Sequence, residues 1–216
     1  MKSFAVLGLG RFGRQLALSL AQQGAEVLAI DRVRKIVDDV ADEVTRAVTA
    51  NIQDKDVMTE LGVAECDCVI IAFGGDLAAS VVALINLKAM GVKQIICKAY
   101  DEVHKEVLMK LGADRVIIPE QEIADKLANQ LVSPALRDYI SLSDGYLVEE
   151  ISAPGCWLDR TLADLRIRSK YRADVIAIRR GGKTLVSPGG DDQIKKDDVL
   201  VLLGATEALD DIRQLR

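Results

Sequence analysis

Three glycines spaced as Gly8-x-Gly10-x-x-Gly13, with a carboxylate at Asp31, are the residues of this chain best suited to holding a ligand. The spacing alone says little. Its context says more, because the motif follows an apolar strand-like run, opens a helix-like run, and has an acid ending the next strand. Each position has its own reason. Gly8 permits a tight turn, Gly10 lets backbone approach a pyrophosphate, and Gly13 lets the helix pack close to a sheet. A phosphate there would meet free N–H groups and the positive end of the helix dipole. Asp31 could accept ribose hydroxyls, and its charge would repel a 2′-phosphate, which argues against NADP. Arg11 sits inside the loop, at a helix start that disfavours a cation. It becomes favourable beside extra anionic charge such as the terminal phosphates of ATP, and is otherwise a solvated side chain.

No catalytic constellation accompanies the loop. The single histidine, His104, falls in a helix-like segment and reads as a solvated side chain rather than a general base. Cys66, Cys68, Cys97 and Cys156 contain no C-x-x-C pair and read as reduced core residues. The expectation is a protein that binds a nucleotide without reacting it, and so is not an enzyme.

The elements that must position these residues alternate regularly. Strand-like runs at Ser3–Gly8, Glu26–Ile30, Val44–Val48, Cys68–Phe73, Gln94–Lys98 and Arg115–Ile118 are separated by helical runs at Arg11–Gln23, Val33–Glu43, Asp54–Leu61, Leu77–Met90 and Glu102–Leu111. Several of the helices stop at glycine. This predicts an α/β fold, a Rossmann-type doubly wound parallel sheet. Another helix, Glu120–Val132, crosses to the break at Ser133-Pro134. The order then becomes irregular: strands at Tyr146–Ile151, Asp174–Ile178, Thr184–Val186 and Val199–Leu203, a short helix at Leu162–Leu165, a hairpin turn at Gly181-Gly182 and a last helix at Glu207–Leu215. The expected organisation is a nucleotide-binding domain over 1–133, a linker over 134–143, and a smaller α+β ligand-binding domain over 144–216.

Composition narrows the class. Half the residues are hydrophobic but only 4% are aromatic, so the core must be aliphatic, as a buried parallel sheet requires. Net charge is −5, and a division after Ser133 leaves 15 basic against 19 acidic residues before it and 13 against 14 after it. Neither part carries the basic excess of a nucleic-acid binder. No apolar run reaches the roughly 18–20 residues needed to span a bilayer, and the first residues enter a strand with no signal-peptide pattern.

The strings Val6-Leu7-Gly8-Leu9-Gly10-Arg11-Phe12-Gly13, Val27-Leu28-Ala29-Ile30-Asp31 and Leu111-Gly112-Ala113-Asp114-Arg115-Val116-Ile117-Ile118-Pro119-Glu120 together resemble the RCK (KTN) family. The segment Ile167–Ile178 and the run Asp197-Asp198-Val199-Leu200-Val201-Leu202-Leu203-Gly204 resemble its C-terminal (TrkA-C) domain. Members regulate K⁺ channels and Trk/Ktr-type K⁺ transporters. The resemblance implies a homodimer assembling into an octameric ring, cytoplasmic and peripheral at the inner face of the membrane, under a TrkH/KtrB-like pore subunit. It implies ATP/ADP, or alternatively NAD(H), in the N-terminal domain. Carried over by position, Arg11 and Lys98 would face the phosphates, Asp31 the ribose, and Asn51, Ala72 and Phe73 the base, with Phe12, Arg32, Ile52 and Gly74 beside them. Glu120 matches an acidic residue near a divalent-cation site (Mg²⁺ or Ca²⁺) at the dimer interface, or is simply a carboxylate favoured at a helix start. Some relatives bind cyclic di-AMP in the C-terminal domain, where Arg168, Val175 and Ile176 correspond. The basic cluster Arg166, Arg168, Lys170 and Arg172 could equally be a solvated face.

The leading reading is therefore a ligand-gated regulator of K⁺ uptake acting on a pore supplied in trans. The alternatives are a small NAD-dependent oxidoreductase, which would need a catalytic group in a cleft, and a nucleotide or redox sensor with another partner.

Overall fold

The computed structural model describes residues 1–142 and 145–215. The chain divides into two compact units, Met1–Glu122 and Ile123–Arg216. Residues 143 and 144, where the expected linker 134–143 meets the second domain, and residue 216 lie outside the described residues; most of the rest of that linker, residues 136–141, is a strand.

The first unit follows the alternation: β1 (Ser3–Leu7), α1 (Arg11–Gln22), β2 (Glu26–Asp31), α2 (Arg34–Asp38), β3 (Arg46–Thr49), α3 (Lys55–Glu60), β4 (Cys68–Ile71), α4 (Leu77–Ala89), β5 (Ile95–Lys98), α5 (Glu102–Lys110) and β6 (Arg115–Ile117). The strands form one parallel sheet in the order β3-β2-β1-β4-β5-β6. Apolar residues on both faces of each central strand create two cores. Leu7 and Ile71 pack with Leu84, Leu87 and Leu108. Their neighbours Val6 and Ile70 pack with Leu9, Ala17 and Val37. Small residues a helical turn apart, Gly13 and Ala17, are the buried face of α1 and let it lie close on the sheet. The strand order reverses between β1 and β4, and α/β folds bind ligands beyond the carboxyl ends of strands at such a switch point.

Several expectations shift. The helix expected over Val33–Glu43 is five residues long and continues as turns. Asp38, Asp39, Asp42 and Glu43 crowd its carboxyl end, where the dipole disfavours acids. Strand β3 starts at Arg46 because the preceding Thr45 hydroxyl, rather than a backbone carbonyl, accepts the Val27 N–H (3.0 Å). His104 is fully buried, against the solvated placement expected of it. Its ring packs at a tilt against Tyr100, with centroids 4.8 Å apart. Cys66, Cys68 and Cys97 are buried as expected, but Cys156 is exposed. The helix α6 (Pro119–Val132) runs from the first unit into the second and carries no buried residue.

The second unit is an antiparallel sheet with helices: β7 (Leu136–Ser141), β8 (Tyr146–Ser152), α7 (Leu162–Leu165), α8 (Ile167–Tyr171), β9 (Ala173–Arg180), β10 (Lys183–Val186), β11 (Val199–Ala205) and α9 (Thr206–Arg213), in strand order β10-β9-β11-β8-β7. Its core gathers Ile151, Trp157, Leu165, Ile178, Leu200, Leu202 and Leu209. Gly181 and Gly182, both at positive φ, make the two-residue turn between β9 and β10. Neither β7 nor α8 was expected from the sequence. The run Asp197-Asp198 acquires a reason. Asp197 turns the chain at φ +67. Asp198, buried, accepts both Arg180 Nε and Nη2 at 2.7 Å and the Lys195 N–H at 2.7 Å, so it locks the start of β11 to the end of β9. Among the described residues no helix is long and apolar enough to cross a membrane.

Candidate functional site

The glycine loop joins β1 to α1 at the switch point, and each glycine has a distinct environment. Gly8 adopts φ +91, and its N–H donates to Ile30 O at 2.7 Å. At Gly13 an added Cβ would lie 2.0 Å from Gly8 O and 2.8 Å from the Ala72 Cβ, so the helix start and the loop touch there without space for any side chain. Gly10 differs. It is the N-cap of α1 at an ordinary φ of −62°, and a Cβ would meet nothing within 4 Å. Packing within the chain does not require glycine at this position. Backbone approach by a ligand would.

Asp31 ends β2 and closes the loop. One carboxylate oxygen accepts the Leu9 N–H at 2.7 Å and the other accepts the Val33 N–H at 2.9 Å. Each oxygen keeps a lone pair for a further donor such as a ribose hydroxyl. A cleft of about 480 Å³ opens over these residues, lined among others by Gly8, Gly10, Asp31, Arg32, Asn51, Ile52, Ala72 and Phe73. The structure thus brings together eight of the positions singled out in the sequence. It adds Val33, Ile36, Gln53, Gly75, Asp76 and Ala79. Asp76 was legible in principle, as an N-cap acid after a glycine pair; its carboxylate accepts the Ala79 N–H at 3.0 Å.

Arg11, Phe12, Gly13, Gly74 and Lys98 do not line this cleft. Gly13 is structural, as described. Lys98 instead forms an ion pair with Glu120 (2.5 Å), and its ammonium lies 5.7 Å from the Phe12 ring centroid. The Lys98 hydrogen bond, aided more distantly by the Arg11 charge, holds the Glu120 carboxyl below its ordinary pKa. Gly74 packs its Cα side on the Lys98 backbone, where a Cβ would lie 3.5 Å from Lys98 O. The string around Gly112 has a parallel logic. Gly112 stops α5 at φ +92, and Asp114 accepts the Ile95 N–H at 2.7 Å, registering β6 beside β5 so that Lys98 and Glu120 meet.

A lone carboxylate engaged by an ammonium does not suit Mg²⁺ or Ca²⁺, which take six or more oxygens. Among the described residues no group of three or more His, Cys, Asp or Glu side chains could hold a metal ion. Within one chain Glu120 therefore does not fit a divalent cation.

His104 is not part of the cleft lining. Among the described residues neither ring nitrogen has a hydrogen-bond partner, and burial pushes its pKa below the ordinary value, with the Asp101 charge opposing. A lowered native pKa means the unfolded chain binds the proton more readily. The stability this group confers is therefore complete above pH ~6.5 and is lost as pH falls through that value towards the native pKa. Urea unfolding of wild type and His104→Phe between pH 5 and 7.5 should show the wild type losing more stability on acidification. Parallel pH profiles would refute it.

In the second unit a pocket of about 360 Å³ is lined by Leu162, Ala163, Arg166, Ile167, Arg168, Ser169, Ala173, Asp174, Val175 and Pro188. Arg168 and Val175 meet here. Ile176, the next residue on β9, is not in the lining. Arg166 (φ 49), Arg172 (φ 55) and Ser187 (φ 53) hold left-handed backbone at or next to this lining. Such conformations cost about 1–3 kcal/mol for residues with a side chain and gather at functional sites. Arg166 and Arg172 bracket α8 on both sides. Arg168, Lys170 and Arg172 are exposed, as a solvated face or an anion site would require.

Comparison with known proteins agrees with this fold. The TrkA-N domain model matches residues 4–119 and the TrkA-C domain model residues 147–215. The chain is 38% identical to Ktr system potassium uptake protein C of Bacillus subtilis over 204 residues, covering 94% of this chain and 92% of that one. It is 37% identical to protein A of the same system, with 94% and 91% covered. Protein A of Vibrio alginolyticus is 31% identical, with 96% and 94% covered. Among solved structures, the GsuK channel superposes with a TM-score of 0.71 at 18% identity, covering 99% of this chain and 39% of that chain. A GsuK channel bound to NAD gives 0.67 at 16% identity, with 98% and 39% covered. This chain spans well under half the length of those channel chains, and the likeness is one of fold.

Proposed function

The chain belongs to the TrkA-N/TrkA-C family, with the Ktr and Trk potassium uptake proteins, and on that premise we propose that it is a cytoplasmic, peripheral regulatory subunit that binds ATP/ADP or NAD(H) in the N-terminal cleft and thereby switches a membrane-embedded K⁺ transporter. The observation that carries the reading is Gly10: open space at a helix N-terminus, beside a carboxylate with lone pairs to spare. A pyrophosphate would take the amides of α1 and Asp31 the ribose. Arg11, the first residue of α1, lies outside the cleft lining and would have to turn towards it to meet phosphates beyond the second. The reading is of binding without turnover. Calorimetry with ATP, ADP and NADH on wild type and Asp31→Ala tests it. Losing charge-assisted bonds worth about 1.5–3 kcal/mol should weaken binding roughly ten- to a hundredfold. Unchanged affinity would put the ligand elsewhere.

The same reading makes the protein a homo-oligomer built from dimers, as an octameric ring requires. Ile123, Leu127 and Leu131, spaced four apart on α6, are 65%, 52% and 72% exposed in the single chain. An apolar stripe so exposed costs solubility unless a second chain covers it. Light scattering at micromolar concentration should report dimers or their multiples. A stable monomer would contradict the assembly.

The pocket of the second unit is read as a second ligand site, for a cyclic dinucleotide such as cyclic di-AMP. Apolar Leu162, Ile167, Val175 and Pro188 suit a base, Arg168 suits a phosphate, and strained backbone flanks both.

A further inference from the structure

The pocket of the second unit carries an acid next to its base. Among the described residues lining it, Asp174 is the single carboxylate, and it pairs with Arg168 through the guanidinium Nε. Among the described residues the guanidinium's terminal amino groups make no hydrogen bond, so they remain to meet a ligand phosphate. Any phosphate held there lies within one guanidinium's width of the Asp174 carboxylate. The attraction of Arg168 and the repulsion of Asp174 therefore act on the same group, and the outcome depends on how much charge the phosphate brings.

We infer that Asp174 is a specificity-determining residue that selects phosphodiesters over phosphomonoesters in this pocket. The inference rests on reading the pocket as a nucleotide site and adds what that site discriminates. A phosphodiester brings one negative charge. A phosphomonoester brings nearly two at neutral pH. Arg168 and Asp174 together carry no net charge, so the surplus cation of the lining is Arg166; it balances the first but leaves the second with an excess charge facing a carboxylate. The pair is solvent-exposed, so the discrimination is moderate. One extra charge at about 6–7 Å in a largely aqueous setting amounts to roughly a three- to tenfold change in affinity.

The test uses the full chain saturated with ADP, so that the N-terminal cleft does not report. Titration calorimetry compares cyclic di-AMP, whose phosphates are both diesters, with its singly opened linear form pApA, which has one monoester. Shape differs between the two ligands, but equally for every protein variant, so the change in their affinity ratio isolates charge. Wild type should prefer cyclic di-AMP, and Asp174→Asn should gain more for pApA than for cyclic di-AMP, narrowing the ratio three- to tenfold. Asp174→Ser should do the same, which covers the case of one variant folding poorly. A ratio unchanged within twofold, with both ligands bound and Arg168→Ala weakening both, overturns the role of Asp174 while the pocket reading stands. If neither ligand binds wild type, or Arg168→Ala binds as well as wild type, the pocket reading itself falls and this inference with it.

Discussion

Gly13→Ala is expected to unfold the N-terminal unit. Two effects compete at this position. Alanine in place of a helical glycine gains about 1 kcal/mol from backbone propensity. Against that, its Cβ would sit 2.0 Å from Gly8 O and 2.8 Å from the Ala72 Cβ. The first neighbour is backbone in a loop fixed by the Gly8 and Leu9 N–H bonds, and the second belongs to the segment following β4. Neither can yield like the end of a flexible side chain. Relief requires α1 to move off the sheet, which opens the core holding Leu9, Ala17 and Val37. A displacement of that kind belongs with the few substitutions costing more than about 4 kcal/mol, a large share of the 5–15 kcal/mol typical of a domain. The single tryptophan provides an internal control. Trp157 is buried in the core of the second unit. Far-UV circular dichroism of Gly13→Ala should therefore lose helix and strand signal, while the Trp157 fluorescence transition in urea stays near that of wild type. A dichroism spectrum and urea midpoint like the wild type's would falsify this account of the loop.

The parallel sheet was legible because its signals are redundant. Strands such as β4, buried along its whole length, announce themselves as apolar runs, and glycines close the helices between them. The second unit was harder for physical reasons. Strand β7 (LRDYIS) is an edge strand with no regular alternation, held by pairing to β8 rather than by an apolar face of its own. Helix α8 is bracketed by arginines in left-handed backbone, where sequence habits favour glycine or asparagine. In the cleft, residue types gave the glycine loop and Asp31, and the family resemblance gave the Asn51 and Phe73 walls. They did not show that Asp31 already serves two backbone amides, nor that Lys98 turns to Glu120. Those are facts of side-chain direction. His104 was misplaced for a related reason: the face of a short helix that turns inward depends on neighbours outside the helix.

Gly10→Ala should separate binding from folding, which Gly13→Ala cannot do. The new methyl group enters open space at an allowed φ, and alanine is only a somewhat poorer N-cap than glycine. Stability should change by no more than about 1 kcal/mol. If a pyrophosphate lies against the start of α1, however, that methyl stands between the phosphate oxygens and the amides that bind them. Losing two such charge-assisted bonds, at about 1.5–3 kcal/mol each, weakens binding by at least about a hundredfold. Calorimetry with ATP, ADP and NADH, alongside urea unfolding of the same preparation, reads both quantities. Full affinity in a folded Gly10→Ala protein would remove the ligand from the glycine loop. Destabilisation comparable to that of Gly13→Ala would mean that Gly10 is held by the fold itself. A near-normal unfolding curve with nucleotide binding abolished is the expected result. That variant would also be the reagent of choice for the functional question, because it silences the cleft in an intact protein. Co-reconstituted with the K⁺ transporter proposed as its partner, it should leave K⁺ flux unresponsive to nucleotide while the wild type responds.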